Sequence, residues 1–324
     1  MKVADMHCDT IMVLLEQRRK HAGDTLAKNS LHLDLEKMKQ GDYLLQNFAL
    51  FVEQNSVEDP FEECKEEYQV FRDEMEKNKD RICQVKSYHD IEKCQREGKF
   101  AALLTIEEGE VCHGSLQKLE EFYDLGVRMM TMTWNYHNSL ATSASDYQPL
   151  RPRNYTGNRQ GLTETGIAFV ERMEELGMIP DVSHMSDAGI EDMLKITKKP
   201  FVASHSNARA LCSHQRNLRD DFLKAMGEKG CVIGANFYSR FLKEGADLTK
   251  TEWIADHILY MVNLAGIESV GLGSDFDGIG CELEMKNCSG LQSLAETLRR
   301  RGMTETQIEQ IFYKNVLRLY RELL

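Results

Sequence analysis

Short apolar or β-branched runs alternate with amphipathic helical stretches along this chain, and that rhythm restricts the fold more than any other feature. The runs Val3 to His7, Leu45 to Val52, Ala101 to Ile106, Arg128 to Thr133, Pro180 to Ser183, Phe201 to Ser204, Cys231 to Phe237 and Val270 to Ser274 read as strands. Helical patterns fall between them, at Ile167 to Leu176, Ala188 to Ile196, Leu218 to Lys229 and Trp253 to Leu264. Gly177 and Gly230 stand where a helix C-terminal glycine belongs. Strands separated by helices pair in parallel, and eight of them predict an α/β fold, a closed (β/α)8 TIM-type barrel spanning 1–324 as one domain. No Pro/Ser-rich linker divides the chain. An open doubly wound sheet would call for a glycine-rich phosphate loop after the first strand, and a His-x-Asp motif occupies that position instead.

The 324 residues suffice for one large barrel or two ordinary domains. Hydrophobic content of 42% and charged content of 28% belong to a soluble globular protein. A net charge of -12 argues against nucleic acid or an anionic membrane surface as partner. No apolar stretch approaches the roughly 18 residues of a membrane span, and the N-terminus lacks a basic segment followed by an apolar signal core. The expected location is therefore the cytoplasm. Nine cysteines, an odd number in a long chain, are expected to be reduced. Cys281 and Cys288 lack CxxC spacing and are not read as a zinc site.

In an α/β barrel, catalytic groups gather at the C-terminal ends of the strands. The first strand ends Asp5-Met6-His7-Cys8-Asp9-Thr10. Spacing of two puts His7 and Asp9 on one face, and a neutral imidazole beside a carboxylate suits a hydrolytic zinc ion. The third strand ends Ile106-Glu107-Glu108-Gly109, where Glu107 can bridge two metal ions through its two oxygens or, with Glu108, simply begin a loop. Ser-His recurs after the fifth and sixth strands, as Ser183-His184 and Ser204-His205, and these histidines can serve a second metal. The last strand runs Val270-Gly271-Leu272-Gly273-Ser274-Asp275-Phe276-Asp277-Gly278. Its glycines permit close backbone approach. Asp275 is the candidate general acid/base, and Asp277 reads as a cap of the next turn.

This ordered set resembles the renal or membrane dipeptidase family of zinc peptidases, including its soluble bacterial members, over nearly the whole chain. It is carried by the motifs above and by Gly161-Leu162-Thr163 leading to Leu176-Gly177-Met178, Asp181-Val182-Ser183-His184, Arg216-Asn217 and Asn236-Phe237-Tyr238. The resemblance implies a metal-dependent hydrolase-like barrel with two Zn2+ ions. His7 and Asp9 would hold one, His184 and His205 the other, and Glu107 would bridge them. It further implies hydrolysis of L-L and L-D dipeptides by a hydroxide bridging the metals, with Asp275 protonating the departing amine. Arg216 matches the arginine that engages the substrate carboxylate, and a guanidinium suits that task. Tyr238 matches a tyrosine nearby. One departure stands out: Trp134 falls where some members carry a carbonyl-polarising histidine, leaving His137 as the candidate to reach inward and Trp134 to shape the pocket wall.

His21, His32, His89, His113, His214 and His257 lack a strand-end setting and read as structural. Helices after the last strand, Leu291 to Arg300 and Thr306 to Leu323, carry a stripe of Ile308, Ile311, Phe312, Val316 and Leu319 that reads as core packing. The resemblance also allows a homodimer. Two other readings stay open: an amidohydrolase-type deaminase or lactonase, which more often begins His-x-His, and a catalytically silent metal-binding barrel, which should lack a ligand or Asp275.

Overall fold

The computed structural model describes residues 1–145 and 161–324. Its strands are β1 (Val3–Asp5), β2 (Tyr43–Phe51), β3 (Ile82–Val85), β4 (Phe100–Glu107), β5 (Val127–Thr131), β6 (Ile179–Asp181), β7 (Val202–Ala203), β8 (Val232–Ala235), β9 (Leu248–Thr249), β10 (Val270–Leu272) and β11 (Glu282–Leu283). Around the barrel the order is β1, β2, β4, β5, β6, β7, β8 and β10, all parallel, and β10 returns to β1 where Asp5 pairs with Leu272. These eight are the strands expected from the sequence, with their ends shifted slightly.

Strand β3 was not expected. It pairs with the lower half of β4, from Ile82–Phe100 to Val85–Leu103, while the upper half of β4 takes β5 from Leu104–Val127 onward. Its four residues Ile-Cys-Gln-Val are buried only at the two ends, so they show neither the continuous apolar run nor the alternation that marks a strand. The expectation of wholly reduced thiols is corrected at the same place. Cys83 of β3 is joined by a disulfide to Cys94 of the helix Tyr88–Arg96, and the other seven cysteines are free.

The lower barrel is filled by Ala4, Met6, Leu45, Leu103, Met129, Ile179, Val202 and Val232, packed against Val316, Leu319 and Tyr320. Those last three belong to the C-terminal helix Asn315–Leu323, which plugs the N-terminal mouth of the barrel. The Tyr320 hydroxyl accepts from Asn47 Nδ2 at 2.7 Å, so the plug satisfies a polar side chain of the barrel interior as well as covering apolar ones. The stripe from Ile308 to Leu319 is fully buried, as its spacing predicts. A larger apolar layer lies between the barrel and the surrounding helices.

Local sequence sets where those helices begin and end. Thr163 and Ser186 cap their helices by accepting from Gly166 N at 2.9 Å and Gly189 N at 3.1 Å. Gly177, at φ 78°, ends the helix Glu164–Leu176 in the left-handed conformation. Close backbone approach is needed at Gly273, where a Cβ would lie 1.8 Å from the Ser204 carbonyl oxygen. Among the described residues, no helix is long and apolar enough to cross a membrane.

Candidate metal centre

With the lower mouth covered by the C-terminal helix, the candidate site residues gather at the C-terminal ends of the barrel strands. Strands β1 and β10 keep exchanging backbone hydrogen bonds past their formal ends, from Asp275 N to His7 O at 3.2 Å and Asp9 N to Phe276 O at 2.9 Å. This ladder sets His7 and Asp9 beside Asp275. His7 Nε2 lies 3.4 Å from Asp9 Oδ2, 3.3 Å from Glu107 Oε2 and 3.9 Å from Asp275 Oδ1. On the other side, Glu107 Oε1 lies 3.0 Å from His184 Nε2 and 3.4 Å from His205 Nε2, and those two nitrogens are 3.0 Å apart. Glu107 therefore divides its oxygens between two histidine groups. Residues that the sequence places on five different strands converge here.

The donor set fits divalent cations. His7 Nε2 and Asp9 Oδ1 are buried without a hydrogen-bond partner, and a buried polar atom left unpaired costs about 1–3 kcal/mol. Candidate ligand atoms of His7, Glu107 and His205, and of His7, Asp9 and Asp275, lie within 4.8 Å of one another in each group. Imidazole nitrogen with carboxylate oxygen is a zinc-type donor mixture. Two of the six residues also carry backbone strain: His184 has φ 67° and Asp275 φ 64°, a region unfavourable for side chains other than glycine. Such strain gathers at functional sites.

Supporting hydrogen bonds fix the imidazoles. Ser204 Oγ donates to Asp181 Oδ2 at 2.5 Å, so its contact at 2.8 Å with His205 Nδ1 makes that nitrogen the donor and leaves Nε2 a free lone pair. Asp181 also accepts from Thr131 Oγ1, Ser183 N and Ser204 N. His184 Nδ1 meets Asn135 Oδ1 at 2.9 Å, which likewise frees its Nε2. Under the first motif Asp5 accepts from Ser274 N at 2.9 Å and Ser274 Oγ at 2.5 Å, and Ser274 Oγ also meets His7 O at 3.3 Å, which ties the backbone of the two strand ends together. The bonds at His184 and His205 orient candidate ligands as outer partners do around a metal ion.

The cluster packs groups of opposite preference at close range. Burial, with the Arg216 charge, pushes His184 down to about 4. Burial and then the charge on His7 hold His205 well below the ordinary imidazole range. Both are therefore neutral and able to coordinate at neutral pH. Burial opposes a charged His7, yet Asp9 and Glu107 outweigh it and raise that imidazole. Burial raises Asp9 to about 6 despite the opposing charge of His7, and raises Asp275 more strongly, with Asp9 and Glu107 adding repulsion. Burial also acts on Glu107, but its three histidine neighbours hold it well below the carboxylate range.

A cleft of about 250 Å³ opens over the cluster. Asp9, Glu107, His184 and Asp275 reach it, and Met12, Phe51, Trp134, Asn135, Tyr238 and Phe241 form much of its wall. Trp134 thus takes the wall position expected of it. His137 is not among the lining residues, and its Nδ1 accepts from Ser143 N at 2.9 Å. From this loop it is Asn135 that reaches the cluster, a residue the sequence reading missed because no periodicity marks a loop position. Tyr238 lines the cleft and packs edge-on against Phe241. Arg216 sits behind that wall, 5% exposed, its guanidinium 5.3 Å from the Phe241 ring. Its Nη2 donates to His205 O at 3.2 Å, and its buried Nε has no partner. Burial lowers it to about 10, still charged at neutral pH.

The neighbouring carboxylates are structural. Glu108 accepts from Glu110 N, Trp134 N and Asn138 Nδ2. Asp277 accepts from Thr10 Oγ1 and His32 N, both at 2.6 Å, in keeping with its reading as a turn cap. His214 accepts from Arg216 N, and His257 accepts from Ala208 N and contacts Leu242 O.

The membrane dipeptidase family model, peptidase family M19, matches residues 1–323. An uncharacterised dipeptidase of Schizosaccharomyces pombe is 33% identical over 99% of this chain and 80% of its own length. A metallo peptidase from Rhodobacter sphaeroides, solved with a phosphinate mimic of the dipeptide L-Ala-D-Ala, superposes with a TM-score of 0.88 at 23% identity, covering 100% of this chain and 99% of that one. An amidohydrolase from Pseudomonas aeruginosa superposes at 0.78 and 25% identity, covering 89% of this chain and 91% of its own.

Proposed function

The chain belongs to the membrane dipeptidase family, peptidase family M19, a family of metallo-dipeptidases, and from that premise we propose that it hydrolyses L-L and L-D dipeptides at a centre of two zinc ions. The observation that carries the reading is the division of Glu107 between His7 on one side and the pair His184 and His205 on the other. In this reading His7 and Asp9 hold one ion, His184 and His205 hold the second, and Glu107 joins them. When bound, such a pair acidifies water and polarises the scissile carbonyl.

The chain's own groups do the rest. Asp275, steadied by Asn236 Nδ2 at 2.8 Å, faces the cluster and passes a proton from water to the departing amine. Arg216 holds the substrate carboxylate, and its unpartnered buried Nε supports that role. Tyr238 contributes to the same end of the cleft. Fixing the carboxylate there leaves room for one residue beyond the scissile bond, which favours dipeptides over longer chains. Trp134 and Phe51 supply apolar wall that limits water around the reacting carbonyl. The mimic bound by the Rhodobacter sphaeroides relative supports the inclusion of L-D substrates.

The test is amino-acid release by zinc-reconstituted protein from L-L and L-D dipeptides, with tripeptides and C-terminally amidated dipeptides alongside. Cleavage restricted to dipeptides with a free carboxylate is expected. No cleavage of any dipeptide, or equal cleavage of amidated ones, would contradict the reading.

A further inference from the structure

Next to the catalytic cleft lies a second cavity of about 200 Å³, and the two share Met12 and Phe51 in their walls. Four glutamates, Glu16, Glu53, Glu63 and Glu67, line it together with Arg19 and the apolar Leu15, Val52 and Val57. Helix Thr10–Arg19 presents Met12, Glu16 and Arg19 on one face, and helix Pro60–Lys77 presents Glu63 and Glu67 one turn apart. Arg19 is consumed by Glu63, at 2.7 and 2.9 Å, and by Glu66 at 2.6 Å. Glu67 forms no such ion pair, and burial pushes its carboxyl well above the ordinary carboxylate range. It is 1% exposed, and its Oε2 has no hydrogen-bond partner. Glu53, half-buried, also lines the cavity, and its Oε1 is a buried atom without a hydrogen-bond partner. A buried carboxyl keeps its proton unless a cation arrives to pair with it, so Glu67, with half-buried Glu53 in the same lining, forms a receptor for a cation.

The barrel order says which end of a substrate meets it. Arg216 follows β7, and Phe51 ends β2. In the circle of eight strands β2 and β7 lie four places apart, diametrically opposed. A dipeptide whose carboxylate is held at Arg216 therefore directs its amino-terminal residue toward Phe51 and Met12. This step rests on the dipeptidase reading above.

We propose that the acidic cavity behind Met12 and Phe51 is a specificity pocket for a cationic side chain, lysine or arginine, on the amino-terminal residue of the substrate. Met12 and Phe51 pack along the aliphatic stem, and Glu67 with Glu53 receives the charged head, the arrangement that suits these amphipathic side chains. Because a cationic head group favours the ionised form of the buried Glu67, the charge and not the length of the side chain carries the discrimination.

The test compares kcat/KM for Lys-Ala and Arg-Ala with norleucyl-Ala, a neutral chain of similar length, and with Ala-Ala, on the zinc-loaded protein. The expected preference for lysine over norleucine is about tenfold or more, and Glu67→Gln or Glu53→Gln reduces that ratio toward unity. The wild-type ratio stands even if a variant folds poorly. Turnover of Ala-Ala and norleucyl-Ala with no cationic preference overturns the pocket alone. A preference that survives both substitutions also overturns it. Failure of every dipeptide overturns the dipeptidase reading beneath it.

Discussion

Asp181 reaches the His205 imidazole through a single hydroxyl: Ser204 Oγ donates to the carboxylate at 2.5 Å and meets His205 Nδ1 at 2.8 Å. The relay fixes the tautomer that leaves Nε2 facing Glu107. Ser204→Ala or Asp181→Asn should therefore weaken zinc binding about 10–100-fold while the fold persists. Competition with a chelating dye measures this, and an unchanged affinity would show the relay to be dispensable.

Glu107 serves both histidine groups, so its loss should exceed that of any supporting residue. Glu107→Gln keeps the shape but removes the charge opposite three imidazoles. Activity should fall by more than the roughly 100-fold upper range for outer partners, with fewer zinc ions bound per chain by elemental analysis. Retention of full stoichiometry and rate would count against the bridge.

Arg216→Lys keeps a charge but loses the planar fork. A hydrogen bond to a charged group is worth about 1.5–3 kcal/mol, so KM for free-carboxylate dipeptides should rise about 10–100-fold with kcat less affected. Steady-state kinetics decide it: a fall confined to kcat would remove Arg216 from carboxylate binding.

Gly278 has space for no side chain. A Cβ there would lie 2.0 Å from Asp9 Oδ2 and 2.5 Å from Asp275 Oδ1. Gly278→Ala should push both carboxylates out of place and cost about 100-fold in activity, the scale of a 1 Å misplacement. Thermal unfolding should move little, since the clash is with side-chain ends. Wild-type activity in this variant would mean that Asp9 and Asp275 tolerate displacement.

Zinc affinity should fall with acid in a defined window. Asp9 in the metal-free protein is raised to about 6, and a protonated carboxyl does not coordinate. Above pH 6 the proton is already gone and affinity is insensitive to this group. Below it, each pH unit should weaken binding about tenfold as one proton is displaced. His184, lowered to about 4, adds a second proton only below that point. Against its burial, His7 is raised by Asp9 and Glu107 and also gives up a proton on binding metal, so affinity falls with acid through neutral pH as well. Competition titrations from pH 5 to 7.5 should show the slope steepen below pH 6, and a slope unchanged across pH 6 would remove Asp9 from the ligands.

Much of this centre is legible in the sequence because a parallel barrel converts strand order into a ring of strand ends. His7, Glu107, His184, His205 and Asp275 each follow an apolar run, and their convergence needs only the barrel rule. Asn135 was not legible, since its contact with His184 depends on the path of an aperiodic loop, and His137 two residues on looked equally able to turn inward. Asp5 and Asp181 were visible as motif residues, but their hydrogen bonds to Ser274 and Ser204 cross between neighbouring strands and leave no local pattern. Strand β3 and the Cys83–Cys94 bond escaped for a related reason: four half-buried residues beside a short helix carry too little periodicity to declare a pairing.

The most direct test of the two-ion centre is to titrate metal-free protein with zinc while following hydrolysis of L-Ala-L-Ala and L-Ala-D-Ala. Turnover should rise with the second equivalent and saturate near two ions per chain. Full activity at one equivalent, or two bound equivalents with no turnover, would contradict the bridged two-zinc dipeptidase.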